Sequence, residues 1–186
     1  MKLSILVCTV PSRLTHFLPA IIQELDRQAA PFPDVEVCYF GDNKRRTVGA
    51  KRNAMLLLAQ GDYVVFIDDD DKIAPNYVEK IYGAISQRPD VVCFGMTCSL
   101  NGGPALPVNY SAAHPCDANY PDHYDRIPDQ KMVVRRDLAL QVGFPNIQCG
   151  EDANYAARLR PLLKTEKLVP EILYNYIFSR YTTETQ

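Results

Sequence analysis

The stretch Gly61-Asp62-Tyr63-Val64-Val65-Phe66-Ile67-Asp68-Asp69-Asp70-Asp71 constrains this chain more than any other. Tyr63 to Ile67 is a run of apolar β-formers bounded by Gly61 and by carboxylates, the pattern of a short strand buried on both faces in a parallel sheet. Four consecutive aspartates follow. Like charges packed this closely repel one another and raise each other's pKa, so the cluster must be solvated or neutralised by a cation. Strand alternation predicts Asp68 and Asp70 on one side and Asp69 and Asp71 on the other. An aspartate pair spaced by one residue then stands at the carboxyl end of a central strand, where open α/β sheets bind their ligands. Such oxygen ligands suit Mg²⁺ or Mn²⁺ held jointly with substrate phosphates. A solvated acidic turn capping a helix near Pro75 is the alternative.

The length of 186 residues suits one domain with a real core. A net charge of -2 argues against a strongly electrostatic nucleic-acid binder. Cys8, Cys38, Cys93, Cys98, Cys116 and Cys149 show no Cys-x-x-Cys spacing and read as reduced thiols of a cytoplasmic protein. Leu3 to Val7 is too short for the apolar region of a signal peptide, and no later run reaches membrane-spanning length.

In chain order, Lys2 to Cys8 reads as a buried strand, and Arg13 to Gln28 as an amphipathic helix with Ser12 as its N-cap. Val35 to Phe40 reads as a second strand and Gly49 to Gln60 as a helix leading into the acidic stretch. Strand, helix, strand, helix, strand implies right-handed crossovers and a parallel sheet. Asn76 to Gln87 reads as a helix, Val91 to Met96 as a fourth strand, and 101–128, rich in Pro and Gly, as a long irregular segment. Lys131 to Arg135 reads as a strand and Asp152 to Leu159 as a helix. Two apolar runs, Lys167 to Val169 and Ile172 to Phe178, close the pattern.

Several of these segments, in this order, resemble the family 2 glycosyltransferases. Phe40-Gly41-Asp42-Asn43 is similar to the second-strand motif of that family, and Gly49-Ala50-Lys51-Arg52-Asn53-Ala54 to its Gly-x-x-x-Ala/Arg-Asn helix. Ala59-Gln60-Gly61-Asp62-Tyr63 resembles its turn, Ile67-Asp68-Asp69-Asp70-Asp71 its metal-binding motif, and Val142-Gly143-Phe144 and Gly150-Glu151-Asp152 its later elements. The loop Thr9-Val10-Pro11-Ser12-Arg13 stands where members carry a different turn. The resemblance implies a GT-A fold: a Rossmann-like α/β domain over 1–186, with a mixed, mostly parallel central sheet flanked by helices. Residues 1–96 form its nucleotide-sugar half and 97–186 its acceptor half.

It further implies an inverting, metal-dependent glycosyltransferase that uses a nucleotide-diphospho-sugar, foremost a UDP-sugar, with Mn²⁺ or Mg²⁺. Asp70 and Asp68 would hold the metal, and Thr9, Pro11, Arg13, Asp42, Arg52, Asp68 and Asp69 would contact the donor. The attacking hydroxyl must lose its proton, which calls for a carboxylate near the acceptor. Asp152 fits that role, with Glu151 orienting the acceptor or the neighbouring backbone; an ordinary charged first turn of a helix is the alternative for both. His123 and Arg135 would lie on the acceptor side. The chain is short for the family, so acceptor recognition falls to 101–128, to an oligomeric partner or to a second protein. The acceptor stays open among a glycan, a small molecule and a modified nucleobase in DNA. A sugar-phosphate nucleotidyltransferase is disfavoured because Thr9 to Arg13 contains no glycine. A non-catalytic nucleotide- or sugar-binding module is disfavoured by the joint presence of Asp42, Asp68, Asp70 and Asp152.

Overall fold

The first half of the chain alternates as expected: β1 (Leu3–Thr9), α1 (Leu18–Ala29), β2 (Val35–Gly41), α2 (Val48–Leu58) and β3 (Tyr63–Asp68). The computed structural model describes residues 2–181. β1 pairs in parallel with β2 on one side and with β3 on the other. Both β1 and β3 are apolar on both faces because helices cover the sheet, and Ile5, Val7, Val65 and Ile67 are all but inaccessible. The first helix starts later than its periodicity suggests. A 3₁₀ turn occupies Pro11–Arg13, and α1 begins at Leu18, which leaves Pro19 in the first turn where its missing N–H costs nothing.

The second half adds β4 (Lys72–Ile73), α3 (Tyr77–Ile85), β5 (Val91–Leu100), β6 (Leu106–Tyr110), β7 (Ala118–Asn119), β8 (Tyr124–Arg126) and β9 (Val133–Arg135). After these come α4 (Arg136–Val142), α5 (Glu151–Leu159) and β10 (Glu166–Phe178). The strands form one mixed sheet in the order β2-β1-β3-β9-β5-β6-β8-β7. β9 enters antiparallel between β3 and β5, so β5 runs parallel to β3. β10 lies parallel along β5 and also pairs with β4. Among the described residues no helix is long and apolar enough to cross a membrane.

Two expectations are corrected here, and one helix is added. The 101–128 segment is not irregular throughout: β6 pairs antiparallel with β5, and β8 and β7 continue the sheet from β6. Pro107 is compatible with this because it precedes Val108, where pairing with β8 begins. The two apolar runs near the end are one strand with irregular register around Pro170. Arg136 to Val142, unread in the sequence, is the helix α4.

Gly49 shows how tightly α2 meets the segment before α5. A Cβ at this position would stand 1.9 Å from the Pro145 carbonyl oxygen. Gly49→Ala is expected to cost about 1–3 kcal/mol through this overpacking, read as a lower thermal midpoint. An unchanged midpoint would mean that the 145–148 segment yields freely.

Candidate functional site

β3 ends at Asp68, and the next three aspartates turn away from it, with the Asp71 N–H donating to the Asp68 carbonyl at 3.2 Å. Simple strand alternation therefore stops at Asp68. Asp71 points to β10, where the Tyr174 hydroxyl donates to it at 2.7 Å and the Ile177 N–H at 2.8 Å. The same Tyr174 oxygen accepts from the Asp68 N–H at 3.1 Å. Burial, then the Asp68 charge, pushes the Asp71 carboxyl up to about 8. Tyr174 thus pins the turn at both ends.

The other three aspartates face protein cations. Arg13 reaches Asp69 at 2.5 Å and Asp70 at 2.7 Å, one guanidinium nitrogen to each. The Thr9 hydroxyl donates to the second Asp69 oxygen at 2.6 Å. Burial nonetheless outweighs Arg13 and raises both carboxyls above the ordinary aspartate value. Asp68 receives Lys131 at 3.0 Å on one oxygen and Arg52 at 3.3 Å on the other. Burial alone would raise its pKa, but these two cations hold it down at about 2. The acidic cluster inferred from sequence to need a cation is balanced largely by Arg13, Arg52 and Lys131.

Arg52 joins this turn to the start of α5. Its other nitrogen lies 2.7 Å from Glu151, and its guanidinium sits over the rings of Phe66 and Phe144 at 5.7 and 5.5 Å. Asn53, the next residue of α2, exchanges two hydrogen bonds of 2.7 Å with the backbone of Phe144. The two sequence motifs that carry Arg52-Asn53 and Gly143-Phe144 are therefore one packed unit. Gly150, the residue before α5, has φ of 80°, and nothing stands where its Cβ would be. That left-handed residue turns the chain into α5 and presents Glu151 and Asp152 together. Glu151 is buried, and burial raises its pKa despite Arg52. The Asp152 carboxylate accepts from the adjacent Ala153 N–H at 2.7 Å.

These side chains surround a cavity of about 130 Å³. Asp68, Asp69, Asp70, Glu151 and Asp152 line it together with Arg13, Lys51, Arg52 and Lys131, so acids and bases nearly balance. The cavity is small beside the roughly 300–1,000 Å³ of ligand pockets, and Arg13 and Lys131 extend into it to pair with Asp70 and Asp68. Among the described residues no group of three or more His, Cys, Asp or Glu is gathered so as to hold a metal ion by itself. Asp70 still fits a dication shared with a ligand: its carboxylate borders the cavity beside Asp68, with Arg13 at its Oδ2.

Of the residues singled out from sequence, Thr9, Arg13, Arg52, Asp68, Asp69, Asp70, Glu151 and Asp152 converge on this cavity. Pro11 is exposed and outside its lining. Asp42 stands behind Lys51, accepting from the Arg46 N–H at 3.0 Å with the Lys51 ammonium 3.6 Å away. His123 stacks on Tyr120 and lies 2.8 Å from Asp122, on the outer part of the sheet. Arg135 lies outside the lining of this cavity. It pairs with Tyr63, at the opposite end of β3 from Asp68, and its charge meets Asp90 at 3.0 Å and Asp137.

Sequence reasoning missed Lys131, Gln148 and Tyr176, all of which line the cavity. Lys131 is buried, and although burial alone would lower its pKa, Asp68 and Asp129 keep it charged. A lysine at the start of an otherwise apolar strand was its one available signal.

The family model described as "Glycosyl transferase family 2" matches residues 15–136, more than half of the chain. The chain belongs to glycosyl transferase family 2. Among curated proteins no sequence matches it. Several solved structures share its fold. S. aureus TarS is 18% identical with a TM-score of 0.71, covering 96% of this chain and 37% of TarS. TarS 1-349 in complex with UDP-GlcNAc is 17% identical with a TM-score of 0.72, covering 97% and 59% of the two chains. TarS 1-349 in complex with UDP gives 18%, 0.73, 96% and 61%. This family 2 chain thus spans less than two thirds of the TarS chains, and at such identities the likeness is one of fold. That fold is the GT-A arrangement: a mixed, mostly parallel sheet flanked by helices.

Proposed function

We propose that this family 2 chain is an inverting, metal-dependent glycosyltransferase that moves a sugar from a UDP-sugar to an acceptor hydroxyl. The observation that carries the proposal is the placement of Asp152 on the wall of the cavity that Asp68 and Asp70 border. A proton acceptor and a diphosphate-binding turn are thereby within one site. The TarS structures with UDP and UDP-GlcNAc support uridine as the donor base.

In this reading Asp152 takes the proton of the attacking hydroxyl, and a single displacement with one carboxylate base inverts the anomeric centre. Glu151 is committed to Arg52, so it orients the start of α5 and hence Asp152. Arg13, Lys51 and Lys131 place positive charge where negative charge grows on the departing diphosphate. Because the cavity is small, Arg13 and Lys131 are expected to exchange carboxylate for phosphate oxygens when the donor enters. Asp70 would hold Mn²⁺ or Mg²⁺ directly and Asp68 through water; when bound, the ion offsets charge on the leaving group. Six unpaired cysteines fit a cytosolic setting.

Titration of UDP by calorimetry in Mn²⁺ and in EDTA tests the metal assignment. Asp70→Asn is expected to weaken UDP binding by about tenfold or more in Mn²⁺, since one carboxylate ligand is lost, and to change little in EDTA. Equal loss in both conditions, or none in either, would sink the assignment.

A further inference from the structure

The sheet is open along one side. β2 ends the strand order, and among the described residues no strand pairs with its outer edge. At the other end of that order β7 has two residues, whereas β2 has seven, all in unbroken register with β1. An edge of this length pairs with another chain unless Lys, Pro, a charge or a bulge blocks it. β10, which has β5 alone as its neighbour from Glu166 to Ile172, carries Lys167, Pro170, Glu171 and a break in register there. β2 carries no such device. Its one charge is Glu36, whose carboxylate is turned back to accept from the Ser4 hydroxyl and, at 2.7 Å, from the Gln60 N–H.

The outward groups of β2 follow from its pairing. The Leu3 N–H donates to the Asp34 carbonyl, so the backbone of residues 34, 36, 38 and 40 faces β1, and that of Val35, Val37, Tyr39 and Gly41 faces outward. The Val35 N–H is already spent on the Phe32 carbonyl at 3.0 Å. Side chains alternate as well: Tyr39 stands beside α1, 59% exposed, and Val35 and Val37 share its face. Between Tyr39 and α1 runs a groove of about 580 Å³ lined by Leu14, Leu18, Pro19 and Ile22, with Asp26 as its one charged residue.

We propose that β2 pairs antiparallel with β2 of a second copy, continuing the sheet across a two-fold axis at Cys38. A strand paired with itself must set outward groups opposite outward groups. With the axis at Cys38, Val37 of one copy stands opposite Tyr39 of the other, and their N–H and C=O groups exchange hydrogen bonds on both sides of the axis. An axis at Val37 would set Tyr39 opposite Val35, whose N–H is spent. An axis at Glu36 would oppose two carboxylates, which destabilises a sheet. At Cys38, Glu36 meets Phe40 instead, and each Tyr39 ring packs against a valine, the aromatic–β-branched pair that sheets favour. The axis is normal to the sheet, so both α1 helices lie on one face and the two apolar grooves adjoin. The seven residues of β2 span about 23 Å. With a sheet and flanking helices about 25 Å tall, the edge covers about 600 Å² per copy, the small end of specific interfaces. The second copy thus matches β2 in backbone groups, side chains and charge.

Sedimentation velocity on the whole chain under reducing conditions tests this. A dimer with a dissociation constant of about 10 µM is expected for so small an interface. Tyr39→Lys, at an exposed position, supplies the edge lysine that β2 lacks and should weaken the dimer at least about tenfold. Leu168→Lys, similarly exposed on β10, should leave it unchanged. Opposed residues that exchange no hydrogen bonds lie about 4.5 Å apart at Cα, within disulfide reach. In a chain whose two exposed cysteines, Cys116 and Cys149, are replaced by serine, diamide should therefore link two copies through Cys38, both thiol hydrogens passing to the reagent. Cys38→Ser should abolish that link. The proposal is overturned if the chain sediments as a monomer at every concentration, if the dimer is untouched by Tyr39→Lys or lost with Leu168→Lys, or if a dimer forms and diamide leaves Cys38 unlinked.

Discussion

Asp152→Asn is expected to reduce sugar transfer by about 10²–10⁴-fold, the scale of a lost general base, while leaving UDP binding intact. Among the described residues this side chain accepts from the neighbouring Ala153 N–H, so the fold has little invested in it. The loss of charge at the first turn of α5 should cost about 0.5 kcal/mol. Activity and thermal midpoint measured together separate this from a folding defect. Glu151→Gln is the contrast, because Glu151 is buried against Arg52 at 2.7 Å and should lower both stability and turnover. If Asp152→Asn transfers sugar at the normal rate, the base lies elsewhere.

The largest effect on stability should come from Arg52→Met. Arg52 is buried, holds Glu151 at 2.7 Å and Asp68 at 3.3 Å, and packs between Phe66 and Phe144. Methionine keeps much of the packing volume and leaves Glu151 without its cation and Asp68 with Lys131 alone. Breaking a buried pair on one side costs about 3–5 kcal/mol, on the order of 10 °C in thermal midpoint for a chain of this size. Adding Glu151→Leu to Arg52→Met should recover part of the loss, since the stranded charge is removed with its partner. A single substitution as stable as the parent would show that water or Lys131 already screens this centre.

The sheet was legible because its determinants are local. Apolar runs bounded by Gly, Pro and carboxylates gave β1, β2 and β3, and helical spacing gave α2 and α3 within a residue or two. Proline misled in two places for one reason: its effect depends on which side of a strand is paired. Pro107 falls just before β6 gains its second neighbour, and Pro170 sits where β10 already departs from regular register. α4 carried usable signals, Asp137 in its first turn and Gly143 after its end, but its seven residues are too few for periodicity to show.

The site was legible where one segment held several of its residues, as with Asp68 to Asp70 and Glu151-Asp152. It was illegible where function depends on which distant charge meets which. Arg13 was expected to face the donor, and here it bridges Asp69 and Asp70; Lys131, more than sixty positions after Asp68, takes one of its oxygens. Arg135 illustrates the reverse case. The family resemblance placed it on the acceptor side, and the antiparallel register sets it beside Tyr63, at the opposite end of β3 from Asp68.

The central claim, that this cavity binds a nucleotide-sugar with a divalent ion, is tested most directly by thermal shift. The chain is heated with UDP-, GDP-, dTDP- and CDP-sugars, each in Mn²⁺, Mg²⁺ or EDTA. A UDP-sugar at about 100 times its Kd should add about 2.7 kcal/mol to the folded state and raise the midpoint by about 5–10 °C, in the presence of metal and not in EDTA. No shift with any nucleotide-sugar at millimolar concentration, with any metal, would contradict the assignment of Asp68 and Asp70 to a donor site.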